Sequence, residues 1–232
     1  MKKIISILTG LLMAIISGVL FASVLGVSPF FTVGTLIVLG SIPLRCTGIL
    51  MFNFANLTWA DGEENMGGLQ VIGYYALIAD IDNFPALPSN PATAAEEVTL
   101  EQSPGFIMLA GKYFYKIYST LETSEVVDEN QGEWDGQSFV HKGEIFYPGT
   151  KAEALAFAKH INNSNMVFIF LEADGTRRVI GSEAFPAKCK PSFTTGKATA
   201  DRKGMTLEIQ SYGYTPAPFY EGVIRLDGEQ VS

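Results

Sequence analysis

The hydrophobic positions of this chain change period along its length. From Ile4 to Val27 the chain runs uncharged and mostly apolar for 24 residues, with Lys2 and Lys3 just before it and Pro29 just after. As a helix such a run would be about 36 Å long, enough to cross a bilayer. A second apolar stretch, Phe30 to Ile42, is short for a span and is interrupted by Gly34 and Gly40, with Pro43 after it. Three readings of the first run compete: a signal peptide cut near Ala22, a membrane anchor, and a helix buried in a protein assembly. Leu20 is a poor residue two places before that cut. Ser6, Gly10, Ala14, Gly18, Ala22 and Gly26 recur at every fourth position, a stripe of small residues on which helices pack closely.

From about Met51 the pattern becomes one of short strands and turns. Gly67-Gly68 precedes the run Val71–Ile78, which predicts a strand. Pro85, Pro88, Pro91 and Pro104, with small residues between them, predict a loop or extended arm. Lys112–Tyr118 and Ser138–Phe146 read as strands. The acidic, glycine-spaced segment 122–136 between them reads as an exposed loop.

One helix is expected over residues 151–162. Thr150 and Glu153 have capping-box spacing, and Ala154, Phe157, Ala158 and Ile161 form one apolar stripe. Phe157 and Ile161 are expected to dock it, and Asn162 and Asn163 to end it. The continuous apolar run Met166–Leu171 predicts a strand covered on both faces. Asp174-Gly175 predicts a tight two-residue turn into Arg177–Ile180. A second hairpin is expected to pair Ser192–Ala200 with Met205–Tyr212, where Thr206, Glu208 and Gln210 alternate with Leu207 and Ile209. A last strand is expected over Tyr220–Leu226. The fold class is therefore mainly β: a sandwich or barrel with one flanking α-helix over residues 51–232, preceded by an apolar, helical N-terminal segment over residues 1–50.

Charge divides the chain at the same place. Residues 1–60 carry Lys2, Lys3 and Arg45 and no acid, whereas residues 61–232 carry 13 basic and all 24 acidic residues, a net charge of −11. An acidic body repels phosphate, which argues against a nucleic-acid-gripping role. An aromatic content of 12% argues against disorder. Cys46 and Cys189, one in each part, exclude a disulfide framework and read as unrelated thiols.

The chain shows no nucleophile elbow, phosphate loop, dinucleotide fingerprint, zinc-helix motif or paired-cysteine motif. No enzyme activity and no cofactor or metal is therefore expected. His141 and His160 read as two exposed histidines without a shared ligand. Lys188 and Lys190 flank Cys189, a setting that would favour its thiolate, but no positioned base accompanies it. The pairs Asp80/Asp82, Glu96/Glu97, Asp128/Glu129 and Glu133/Asp135 match no EF-hand loop and read as solvated. Asn56-Leu57-Thr58 and Asn162-Asn163-Ser164 fit the glycosylation sequon, which matters only in a eukaryotic secretory pathway.

The order of elements in the C-terminal half resembles that of bacteriophage tail tube (major tail) proteins. A helix is followed by MVFIFLEADGTRRVIGS, a Phe-Pro-Ala step at 185–187, PSFTTGKATADRKGMTLEIQSYG and a closing YEGVIRL. NMGGLQVIGYYALIADIDNFPALP would supply an early strand and the entry to an arm, so the resemblance spans roughly residues 65–226. It implies a virion structural protein that forms hexameric rings stacked into a tube. Other virion proteins would be its partners, and DNA would pass through without specific binding. Segments 83–111 and 121–136 would bridge neighbouring rings. An acidic lumen wall would keep the duplex from sticking. The alternative is a β-domain displayed outside the cytoplasm and anchored in a membrane through residues 4–27. In the tube reading Gly10, Ala14, Gly18, Ala22 and Gly26 pack the N-terminal helix, Phe157 and Ile161 dock the flanking helix, and Asp174 and Gly175 set a hairpin.

Overall fold

The computed structural model describes residues 56–231. The expectations for Gly10, Ala14, Gly18, Ala22, Gly26 and the apolar segment 1–50 lie outside these residues. Among the described residues no helix is long and apolar enough to cross a membrane.

The strands are β1 (Leu69–Leu77), β2 (Ile81–Asn83), β3 (Thr99–Leu100), β4 (Ile107–Met108), β5 (Tyr115–Tyr118), β6 (Glu125–Gln131) and β7 (Ser138–Pro148). After helix α1 (Ala152–Ile161) come β8 (Met166–Glu172), β9 (Arg177–Ile180), β10 (Lys188–Thr194), β11 (Gly204–Gly213), β12 (Phe219–Tyr220), β13 (Ile224–Leu226) and β14 (Glu229–Val231). A six-stranded sheet in the order β3-β12-β9-β8-β1-β5 faces a four-stranded sheet in the order β10-β11-β7-β6. The pair forms a β-sandwich with one flanking helix, as the strand pattern predicts.

Strand β8 explains why the six-stranded sheet sits at the centre. Its apolar run has no wet face because both faces are covered. Met166, Phe168 and Phe170 meet Ile145, Leu207 and Ile209 of the opposite sheet. Val167 and Ile169 face the other way, into a second core with Phe106, Met108, Phe114, Tyr220 and Ile224. The two sheets approach closely at Gly143, where a Cβ would stand 3.2 Å from Ile180 and 3.3 Å from Phe170.

Helix α1 buries the predicted stripe: Ala154, Ala158 and Ile161 are buried and Phe157 packs edge-on against Tyr75, ring centroids 5.2 Å apart. The capping box does not form. Lys151 is the N-cap, in extended geometry, and makes no side-chain cap bond. The loop before it is held instead by Gly149 N–H donating to Lys203 C=O at 2.8 Å. The helix ends as expected, with Asn163 in the left-handed region and Ser164 N–H donating to Ile161 C=O.

Several boundaries differ from expectation. Segment 122–136 is not a loop: β6 pairs with β7 from Glu125↔Glu144 to Gln131↔Ser138. The proline-rich segment is not an extended arm either, since Phe84 and Leu87 pack against the second core while Leu100, Phe106 and Met108 lie within it. The β8–β9 connection is longer than two residues. Glu172 N–H donates to Thr176 C=O across Ala173, Asp174 and Gly175, and only Gly175 has positive φ, at +93°. Asp174 acts through its side chain, which accepts from Thr176 N–H at 2.8 Å. The β10–β11 hairpin begins earlier, at Lys188, and its tip spans 195–203, closed by Asp201 accepting from the N–H groups of Lys197 and Ala198. The expected last strand is split into β12 and β13.

Candidate functional site

Two regions of the sandwich carry unusual chemistry. The first is a polar network at one end of the four-stranded sheet. Period-two alternation turns Asp128 of β6 and His141 of β7 inward, directly across from each other in register. His141 Nδ1 lies 2.7 Å from Asp128 Oδ1. An ionised carboxylate can only accept, so Nδ1 carries a proton. The other oxygen, Oδ2, accepts from Arg178 Nη1 at 3.1 Å. Arg178 also donates to Glu172 Oε1 at 2.7 Å and to Ala217 C=O at 3.0 Å, and its guanidinium lies 4.4 Å from the centre of the Phe219 ring. Burial raises the Asp128 pKa. Hydrogen bonds from His141 and the Ala217 backbone, with the Arg178 charge, outweigh this and hold the carboxyl below its ordinary value.

Beside this network lies a cleft of about 380 Å³. Phe84, Leu100, Phe106, Phe185, Tyr212 and Tyr214 are among its walls, and His141, Ser182, Glu183 and Thr215 are among its polar lining groups. His141 is only 4% exposed and is held through Nδ1 by Asp128. A Cβ on Gly213 would overlap Nε2, so the glycine leaves the notch in which that nitrogen sits.

The second region is the rim of the sandwich. Strands β5, β6 and β10 are edge strands. Lys188, Lys190 and Pro191 blunt β10, and Glu125 and Glu129 guard β6, as charged edges do elsewhere. Strand β5 carries one charge, Lys116, and presents Tyr115 and Tyr118, about half exposed, beside a groove of about 300 Å³ lined by Tyr75, Lys116, Tyr147, Glu153, Phe157 and Met205. Trp134, in the β6–β7 turn, is 86% exposed. On the outer face of the four-stranded sheet Lys142, Lys188 and Lys190 stand among Glu125, Glu129, Glu144 and Glu208, so that face has mixed sign.

Several predicted sites change meaning. His141 is buried and partnered, while His160 is exposed on α1. Asp128 belongs to an ion network, and Asp80 is buried against Lys112 at 2.9 Å. Cys189 is no thiolate: burial pushes its pKa up to about 12. Lys188 and Lys190 are its sequence neighbours, and alternation points them to the opposite, wet face. Phe157 and Ile161 lie on the packed face of α1, Asp174 and Gly175 lie in the longer β8–β9 connection, and the four do not converge on one site. Among the described residues no group of three or more histidine, cysteine or acidic side chains is arranged to hold a metal ion. The polar network was hidden because its members come from β6, β7 and β9; the one local hint was an acid and a histidine on adjacent strands. Compared with protein-family models, curated proteins and solved structures, the chain matches none.

Proposed function

We propose that the chain is a virion structural subunit of the tail tube kind, which assembles into rings that stack around a DNA conduit. The observation that carries this reading is the edge strand β5. It ends the six-stranded sheet with half-exposed tyrosines on either side of Lys116 and Ile117, beside a groove lined by Tyr75, Tyr147 and Phe157. A neighbour's strand laid on β5 would extend the sheet from subunit to subunit and remove the edge. The sandwich with one flanking helix is compatible with this role. Exposed carboxylates such as Glu63, Glu64, Glu96, Glu101, Glu133 and Asp135 sit on loops and turns, so in this reading the surface that repels DNA is built from loops.

Electron microscopy of the purified full chain tests the proposal: rings or tubes are expected, and Tyr118→Glu on the β5 edge should abolish them. A chain that stays strictly monomeric at high concentration overturns it.

The uncharged run Ile4–Val27 behind Lys2 and Lys3 favours a second reading, a β-domain anchored in a membrane and displayed outside the cytoplasm. In that case the full chain should remain with membranes in high salt, and deletion of residues 1–50 should release it. Recovery of the intact chain in the soluble fraction counts against anchoring.

A further inference from the structure

We infer that the two edges of the four-stranded sheet recognise each other between copies of this chain: the acidic β6 edge of one copy docks on the basic β10 edge of the next. This pairing rests on the ring reading proposed above and names the surfaces by which neighbours meet. Charge is segregated along the sheet. From residue 117 to residue 141, through β6 and the turns beside it, the chain carries Glu122, Glu125, Asp128, Glu129, Glu133 and Asp135 and no Lys or Arg. From residue 188 to residue 203, through β10 and its hairpin tip, it carries Lys188, Lys190, Lys197, Arg202 and Lys203 against one acid, Asp201. That acid already accepts from the N–H groups of Lys197 and Ala198.

Neither edge can neutralise the other within one copy. Strands β6 and β10 are the outermost members of the order β10-β11-β7-β6, three strand spacings or about 14 Å apart. Lys190, Glu208, Glu144 and Glu125 form one register row across the four strands. Three carboxylates therefore stand side by side at the β6 end of the row, and like charges in direct register destabilise a strand pair. Glu122, Glu125, Lys190 and Lys197 are exposed, and none of them makes an ion pair with a described residue. All three pairings in the sheet are antiparallel, so β6 and β10 run in opposite directions. A copy set beside this one at the same level thus brings its Lys190 to Glu125, antiparallel, and its hairpin tip with Lys197 toward Glu122.

The signs make the contact selective. Repulsion keeps β6 from β6 and β10 from β10, whereas β6 attracts β10 and the contact repeats head to tail. Residues 119–124 join β5 to β6, and Thr120 N–H donates to Phe146 C=O of β7, so β5 and β6 share a flank of the sandwich. A neighbour laid on β5 therefore also meets β6.

Sedimentation velocity of the purified full chain, with electron microscopy, tests the pairing through two variants. Glu122→Lys/Glu125→Lys sets bases on the β6 edge to face the bases of β10, and Lys190→Glu/Lys197→Glu sets acids on the β10 edge to face the acids of β6. At low salt each variant alone should associate at least about a hundredfold more weakly than wild type. An equal mixture should regain association, because each variant then finds an opposite edge on the other, and recovery also shows that both are folded. Raising the salt should weaken the wild-type assembly. Where wild type forms rings, variants that assemble equally well, a mixture of folded variants that stays apart, or an assembly indifferent to salt overturns the inference and leaves the ring reading standing. A wild-type chain that stays monomeric overturns that reading and the pairing with it.

Discussion

The hairpins β8–β9 and β6–β7 are built on the same backbone ladder and solve the problem of stability in different ways. Strands β8 and β9 lie inside the six-stranded sheet, and most of their side chains are apolar and buried. Strand β6 lies on an edge, none of its side chains is fully buried, and four of its seven register partners on β7 are polar. In the first hairpin burial rewards most of the extended backbone, with Arg178 of β9 paired to Glu172 of β8. In the second, the inward-facing carboxylate of Asp128 is tolerated because His141 and Arg178 satisfy it. A polar strand is stable here only through partners that the rest of the fold delivers.

Substitutions can break that contrast, beginning with the largest effect. Phe168→Ala in β8 removes a ring with no exposed surface and should cost about 3–5 kcal/mol in chemical denaturation. Asp128→Asn should cost about 2 kcal/mol, since it removes charge-assisted bonds to two partners. Its effect should also depend on acid. The folded pKa of Asp128 lies below its ordinary value of 3.8, so the stabilisation is complete above that value and fades as pH falls through the folded pKa. Stability curves of wild type and Asp128→Asn should therefore converge at low pH. Curves that stay parallel would show that the network is not electrostatic.

Gly175→Val places a β-branched residue at φ +93° with open space around it, so only backbone strain is at stake, about 1–2 kcal/mol. An unchanged melting temperature would show that the turn relaxes. Glu129→Gln, on the wet face of β6, removes an exposed pair with Lys142 and should change stability by less than about 0.5 kcal/mol. A loss comparable to that of Asp128→Asn would erase the distinction between the two faces of β6.

The same contrast explains how much of the molecule is legible in its sequence. Strand β8 is visible because both faces are covered and its run is continuously apolar, and the stripe of α1 because one covered face imposes a helical period. Strand β6 is invisible because its acids mimic a solvated loop, and what makes it a strand is the paired β7 ladder. The role of His141 depends on Arg178, on another sheet, and on Gly213, whose missing side chain leaves room for the imidazole. Cys189 misleads for the opposite reason: Lys188 and Lys190 are adjacent in sequence but lie across the sheet from its sulfur. The capping box fails because an anchor from Lys203, distant in sequence, sets how the chain enters α1.

Strand β12 sits between β3 and β9, parallel to the one and antiparallel to the other. Residues 219 and 220 therefore complete a sheet whose other members were made far earlier, and Tyr220 closes the outer core as Ala217 accepts from Arg178. During synthesis the sandwich must wait, partly uncovered, until residues 219 and 220 have emerged. Long-range closure of this kind is slow, and the exposed apolar face in the interval invites association. Removing residues 214–232 would take away only the short strands β12, β13 and β14, yet it would leave the sandwich without its lock.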